Sequence, residues 1–183
     1  MSKLNVDTIE PEGASTTLTL GASGDTVTIP SGATIDVSAG TATGFGKVLQ
    51  VAQITMNSTA STTSTSFVAS GLIAPFSSLA STSSKIFITL SGGNTSSSSS
   101  EVHTTFYAQI GAGAYADIAP SDFFGIWKGP SDSHKTTHSV NYLYSPSTVS
   151  AVNIQPYYKA NSGTAYFNEA TVHVNLIIME IGA

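Results

Sequence analysis

Short runs of Val, Ile, Thr, Phe and Tyr alternate along the chain with turns that contain Gly or Pro. Runs of this kind are typical of an all-β protein. From residue 47 onward they predict strands near Val48–Met56, Ser64–Ser70, Lys85–Ser91, Val102–Ile110, Phe123–Trp127, Ser139–Tyr144, Val149–Lys159, Thr164–Asn168 and Thr171–Ile181. Their spacing predicts an antiparallel β-sandwich of jelly-roll type. Gly71–Ala80 is the one segment predicted as a short helix.

Alternation within two of these strands predicts which side chains face the core, because successive side chains of a strand point to opposite faces. The predicted core-facing set consists of Phe106, Ala108, Ile110, Val152 and Ile154. Polar residues occupy most of the alternate positions, as expected for a sheet with one face in water.

The last predicted strand is apolar on both faces. Alternate residues from Val172 to Ile178 form one face, and Ile177, Met179 and Ile181 form the other. Such a strand is either central to a sandwich or covered by another subunit. We therefore predict that Ile177, Met179 and Ile181 belong to an oligomer interface.

The first 46 residues form a separate region of very short units. Each unit has two apolar residues at spacing two and then a Gly-containing turn, and the units recur every 8 to 9 residues. The pattern resembles the rungs of a solenoid or of a fibre shaft. Its apolar positions are Leu18, Leu20, Val27, Ile29, Ile35 and Val37.

These six apolar side chains are too few to offset the backbone entropy of ordering the segment. We therefore expect identical segments of other chains, arranged around a symmetry axis, to supply the missing burial. The alternative is that the segment packs as extra strands along the second region of its own chain. The predicted organisation is an anchor or β stalk in residues 1–46 and a β-sandwich head in residues 47–183.

Composition excludes several kinds of partner. Charged residues make up 9% of the chain, which contains no arginine and six scattered lysines, whereas an ordinary soluble domain has roughly 25% charged residues. Nucleic acids and anionic membranes are bound by clustered cations, so neither partner is expected. With no cysteine, the chain forms neither disulfides nor thiolate metal sites. No apolar run resembles a secretory signal, which predicts synthesis in a cytoplasm without export.

Motifs of known enzymes are absent from the sequence. It has no Gly-x-Ser-x-Gly elbow, no phosphate-binding glycine loop and no His-Glu-x-x-His motif. We expect neither catalysis nor a cofactor. His134 and His138 are four apart in a predicted loop, a spacing that joins metal ligands on helices. His103 and His173 lie on predicted strands, where copies around a symmetry axis could hold an ion. Ordinary hydrogen-bonded histidines are the simpler interpretation.

An aromatic segment, Phe123–Pro130, is the candidate ligand contact. Sugars present both C–H faces and hydroxyls, so their sites combine aromatic rings with carboxylates and amides. The candidate contacts for a receptor glycan are Trp127, Lys128, Asp122, Asp132 and His134. The alternative is that Phe124, Ile126 and Trp127 close the sandwich. The tyrosines interpreted as strand-face and interface residues are Tyr142, Tyr144, Tyr157, Tyr158 and Tyr166.

Both ends of the chain resemble a known family. Ser2–Pro11, Leu18–Gly21 and Asp25–Ala33 are similar to the N-terminal part of fibre-like virion proteins of marine phages, cyanophages among them. Tyr142–Pro146 and Val174–Ala183 are similar to their C-terminal domains. The resemblance implies an N-terminal anchor that contacts other virion proteins and a C-terminal β-sandwich head that trimerises. At 183 residues, the chain is closer to a short head fibre, a knob or a decoration protein than to a complete tail fibre.

The functional expectation is a non-enzymatic virion structural protein, made in the host cytoplasm and placed on the particle surface. It would form a trimeric fibre or knob that contributes to attachment to a host-surface glycan. The alternatives are a capsid decoration protein with a mechanical role and a lectin-like carbohydrate-binding module. An adhesin should expose polar and aromatic groups, whereas a decoration protein should bury its surface against a shell.

Overall fold

The computed structural model describes residues 26, 28, 31–32, 47–97, 101–120, 124–128, 135–169 and 172–182. The chain divides into two units, Met1–Ala42 and Thr43–Ala183. In the first unit, Ser31 and Gly32 form an exposed turn at a position where the sequence predicts one. The predicted interface residues of this region, Leu18, Leu20, Val27, Ile29, Ile35 and Val37, lie outside the described residues, so their role stays a prediction.

In the described part of the chain, the second unit consists of twelve strands and no helix. The all-β prediction is confirmed. The strands are β1 (Lys47–Met56), β2 (Ala60–Thr62), β3 (Val68–Ala69), β4 (Ala74–Phe76), β5 (Lys85–Ser97), β6 (Glu101–Ile110), β7 (Ala116–Asp117), β8 (Gly125–Lys128), β9 (Thr136–Tyr144), β10 (Val152–Ala160), β11 (Ala165–Asn168) and β12 (Val174–Gly182).

The strands form two six-stranded sheets. The first sheet has the order β1-β12-β5-β11-β2, with β9 also paired to β5. The second has the order β3-β10-β6-β7, with β4 paired to β10 and β8 paired to β6. The pairs within both sheets are antiparallel. The jelly-roll connectivity expected from strand spacing stays a prediction.

One apolar cluster joins the inner faces of the two sheets into a sandwich-like core. Ile86, Ile88 and Leu90 of β5 are completely buried, as are Leu176 and Ile178 of β12. The second sheet contributes residues that alternation predicted correctly, namely Phe106, Ala108, Val152 and Ile154. Ile110 is the exception, because it ends β6 and is 38% exposed.

The predicted helix at Gly71–Ala80 is wrong. Within it, Ala74–Phe76 forms β4 and pairs with β10. Leu72, Ala74 and Phe76 are buried while Ile73 is 40% exposed, which is the period of a strand and not of a helix. The short apolar run was ambiguous because its pairing partner lies far along the chain.

Strand boundaries also differ from the prediction, most clearly at two places. Of the predicted strand Ser64–Ser70, only Val68–Ala69 is a strand, β3, and the preceding β2 belongs to the other sheet. The strand predicted at Lys85–Ser91 is longer, because the backbone of β5 continues to Ser97 through an irregularity after Gly92. Gly93 has a φ of 61° there, and a Cβ at this residue would lie 2.8 Å from Cβ of Val174. Only glycine fits both constraints.

Candidate functional site

The outward face of the first sheet carries an apolar row that crosses four strands. Val51 of β1 lies directly opposite Met179 of β12, which lies opposite Phe87 of β5, which lies opposite Leu143 of β9. Val51 is 57% exposed and Leu143 is 47% exposed, while Met179 and Phe87 are half-buried. We call these four residues the apolar row.

Apolar character on this face is concentrated toward one end of the sheet. Val48, which is 51% exposed, lies opposite Ile181 beside the apolar row. Toward the other end the face becomes polar, and cross-strand hydrogen bonds replace apolar pairs. Thr89 Oγ1 donates to Asn141 Oδ1 at 2.9 Å, and Thr55 Oγ1 donates to Asn175 Oδ1 at 2.6 Å. The apolar end is thus a bounded patch.

The residues of the last strand that were predicted to form an interface lie on this outward face. Ile177, Met179 and Ile181 are half-buried, whereas Val174 and Leu176 are completely buried in the core. β12 is also central, between β1 and β5. The central position accounts for the hydrogen bonding of β12 on both sides, and the outward side chains Ile177, Met179 and Ile181 stay partly exposed.

The outward face of the second sheet carries aromatic rings instead. Tyr107 of β6 and Tyr157 of β10 stack with their ring centroids 3.9 Å apart and their planes 19° from parallel. Tyr115 lies 6.1 Å from Tyr157, and Phe67 lies 6.4 Å from Tyr107. All four side chains are half-buried. We call these four residues the aromatic patch.

Polar side chains surround the aromatic patch and are connected by hydrogen bonds. Thr105 Oγ1 donates to Asp117 Oδ1 at 2.9 Å. On the same sheet, Asn153 Nδ2 donates to Gln109 Oε1 at 2.8 Å, and Gln109 Nε2 donates to the carbonyl oxygen of Gly113 at 2.8 Å. The amides and the carboxylate are therefore held in defined positions next to the rings.

Two further polar side chains lie at this face. Lys159 Nζ is 4.6 Å from the centroid of the Phe67 ring, a cation–π contact. Gln155 lies directly opposite Tyr107 in the sheet and is only 4% exposed. The face therefore has an amide beneath its rings and a cation at its border.

Burial shifts the pKa of two tyrosines in the aromatic patch. It raises the pKa of Tyr107, and the neighbouring carboxylate of Asp117 and the Tyr157 ring raise it further. Burial also raises the pKa of Tyr115, with a contribution from Tyr157. Since the ordinary pKa of tyrosine is already about 10, both hydroxyls are neutral at physiological pH and keep a proton to donate; the shift moves them further from ionisation.

The structure places the backbone of the predicted receptor segment at the edge of the second sheet. Trp127 and Lys128 belong to β8 and lie opposite Val102 and Glu101 of β6. The side chains of Trp127 and Lys128, together with residues Asp122, Asp132 and His134, lie outside the part of the chain that is described. Their contact with a glycan stays a prediction.

Phe124 follows the alternative interpretation of this segment. Its ring lies 5.3 Å from Phe106 and 4.6 Å from Tyr142, so it helps to close the sandwich. Tyr158 is likewise a core residue, at 2% exposure. Of the tyrosines interpreted as strand-face residues, Tyr157 is the one that joins the aromatic patch.

Sequence reasoning missed the aromatic patch because its members lie far apart along the chain. Alternation along β6 puts Tyr107 on the face opposite to Phe106 and Ala108. The pairing of β6 with β10, which brings Tyr157 against Tyr107, is a long-range contact that neither local pattern contains. Outward-facing tyrosines on two strands were the available signal.

The described residues contain no group of three or more His, Asp or Glu that could hold a metal ion. His138, considered above as a metal ligand, is a core residue at 5% exposure. Its Nε2 lies 2.7 Å from the carbonyl oxygen of Phe167, and its ring lies 4.6 Å from the Phe167 ring. Burial lowers the pKa of His138, and the hydrogen bond to Phe167 opposes that shift in part.

We predict that the protein loses stability in mild acid because His138 is buried. The folded state keeps His138 neutral while the unfolded chain binds a proton near its ordinary pKa of about 6.5. The contribution of His138 to the free energy of unfolding is therefore complete above that pH. As the pH is lowered further, this contribution decreases by up to about 1.4 kcal/mol per pH unit. Urea unfolding at pH values from 7.5 to 5.0 measures the slope of the free energy of unfolding against pH. We expect His138→Gln to reduce it, and an unchanged slope, or an equal reduction in the control His173→Gln, would contradict this assignment.

No family model matches the chain, and no curated protein matches it. Among the described residues, no helix has the length and apolar character needed to cross a membrane.

Proposed function

We propose that this chain is a non-enzymatic structural protein of a phage particle, which forms a trimeric fibre or knob at the particle surface and contributes to host attachment. The observation that carries the proposal is the apolar row. Four apolar side chains in register across four strands, two of them about half exposed, are typical of a surface that another protein covers.

In such a head, the outward faces of the two sheets would have different roles. The apolar row suits association between identical subunits around an axis. The aromatic patch, with its tethered amides and carboxylate, suits contact with a hydroxyl-rich surface. Residues 1–46 supply the proposed contact with other virion proteins, and the resemblance of Ser2–Pro11 to phage fibre proteins supports that assignment.

One observation favours a second candidate function. The aromatic patch is what a lectin-like carbohydrate-binding module would need, with or without a particle to carry it. A capsid decoration protein would use the apolar row against the shell and would have no use for the aromatic patch. The attachment proposal accounts for both faces.

Particle labelling combined with mass measurement tests the proposed function. We expect antibodies against the full chain to label the surface of purified phage particles in electron micrographs. We also expect light scattering of the purified full chain to give three times the 18.8-kDa mass of one chain. Absence of the protein from particles would contradict the virion assignment. A monodisperse monomer with residues 1–46 intact would contradict the trimer.

A further inference from the structure

We propose that the aromatic patch, formed by Phe67, Tyr107, Tyr115 and Tyr157, is a binding site for a neutral carbohydrate. None of these four residues belongs to the segment around Trp127 that the sequence indicates. The inference deepens the proposed attachment function and rests on it for the source of the ligand, which would be a glycan on the host surface.

The arrangement of the rings supports contact with a sugar. Tyr107 and Tyr157 form a nearly parallel pair, while Tyr115 is tilted by 45° from Tyr157 and Phe67 is tilted by 55° from Tyr107. The patch therefore presents ring surfaces in more than one direction. Pyranose rings have apolar C–H faces that pack on such surfaces, and several neighbouring rings are needed because each contact is weak.

Access to the rings is open along one border. Residues 111–114, which join β6 to the segment before β7, are Gly, Ala, Gly and Ala, and all four are exposed. No large side chain of this loop can cover Tyr115, which follows it directly. A ligand can therefore approach the rings over a low border.

The amides and the carboxylate around the rings match the hydroxyl groups of a sugar. Asn153, Gln109 and Gly113 form a chain of hydrogen bonds beside the rings, and Asp117 is held by Thr105 and by the backbone N–H of Ala119 at 3.0 Å. These groups are oriented before a ligand arrives, which reduces the entropy lost on binding. The tyrosine hydroxyls add donors.

Gln155 adds an amide to the floor of the patch. Its side chain is 4% exposed, and it lies directly opposite Tyr107 in the sheet, two residues before Tyr157 on the same face of β10. A sugar hydroxyl that reached between the rings could donate to and accept from this amide, and that would give the site selectivity for a polyol.

The charges around the aromatic patch favour neutral sugars over acidic sugars. Asp117 borders the rings closely enough to raise the pKa of Tyr107, so it would repel a sialic or uronic carboxylate. The chain has a net charge of −5 and no arginine, the side chain that binds carboxylates in bidentate fashion. Lys159, which lies over Phe67, is the cation at this border.

The test uses the purified full chain and a panel of free sugars. The neutral probes are the methyl glycosides of glucose, galactose, mannose and N-acetylglucosamine and their neutral trisaccharides; the acidic probes are sialyllactose and glucuronic acid. We expect saturation-transfer NMR to show contact between protein and the C–H protons of at least one neutral probe, and no contact with the acidic probes. Titration then gives the affinity.

Two substitutions locate the site, and one serves as the control. Tyr115→Ala removes a ring at the border of the patch, and Gln155→Met removes the amide at nearly constant volume; we expect each to weaken neutral-sugar binding at least about fivefold. The control, Tyr166→Ala, removes a half-buried tyrosine from the first sheet and should leave binding unchanged. Circular dichroism confirms that each variant is folded.

Three outcomes would overturn the inference. They are failure of the folded chain to bind any neutral probe, binding of acidic probes alone, and a change of oligomeric mass in Tyr115→Ala with sugar binding intact, since the last would make the patch a subunit interface. A different outcome would contradict the proposed function. Sugar binding by a chain that is absent from phage particles would refute the virion assignment and leave this inference standing.

Discussion

Replacement of Leu143 by aspartate is expected to convert the proposed trimer into a folded monomer. Leu143 is 47% exposed on the outward face of β9, so its side chain contributes little to the core of its own subunit. In an interface between subunits, the same position would bury an unpaired carboxylate in every copy, at a cost of several kcal/mol that a moderate apolar contact does not offset. Stability of the single subunit should be nearly unchanged.

Light scattering at several protein concentrations measures this effect as a fall in molar mass by a factor of roughly three. The chain offers a matched control in Val149, which is 51% exposed but lies between β9 and β10 and not in the apolar row. Val149→Asp should keep the mass of the natural chain. If Leu143→Asp and Val149→Asp have the same mass as the natural protein, the apolar row is not the subunit interface.

Replacement of Glu180 by alanine is expected to produce a large loss of stability. Glu180 is 1% exposed on the inner side of β12. One carboxylate oxygen accepts a hydrogen bond from the backbone N–H of Ala80 at 2.7 Å, and the other accepts one from Nε2 of Gln50 at 2.7 Å. Alanine would leave both donors without this acceptor, and hydrogen bonds to charged groups contribute about 1.5–3 kcal/mol each. We expect the free energy of unfolding to fall by about 3 kcal/mol or more.

Urea unfolding at one protein concentration measures that change. The matched control is Glu169→Ala, because Glu169 pairs with Lys135 at 2.9 Å in a partly exposed setting, where such pairs contribute at most about 1 kcal/mol. A loss at Glu180 no larger than the loss at Glu169 would show that the buried carboxylate does not hold β1 and the segment before β5 against β12.

Some features of the described sheets follow from the local sequence pattern, and others depend on contacts between distant segments. Alternation in β6 and β10 predicted their core-facing residues, since the geometry of one strand alone determines which side chains share a face. The same reasoning missed β4, because its short apolar run becomes a strand by pairing with β10. It also had no means to anticipate a buried carboxylate at Glu180, which depends on partners 100 and 130 residues away in the sequence.

The sequence by itself determined the all-β class and the two apolar faces of β12, both of which follow from the period of a single extended strand. Tertiary structure alone decided which outward side chains meet. Pairing of β12 with β1 and β5, and of β5 with β9, turned separate residues into the apolar row. Pairing of β6 with β10 brought Tyr107 against Tyr157. The physical reason is that register between strands is set by the packing of the whole core, and no single segment carries it.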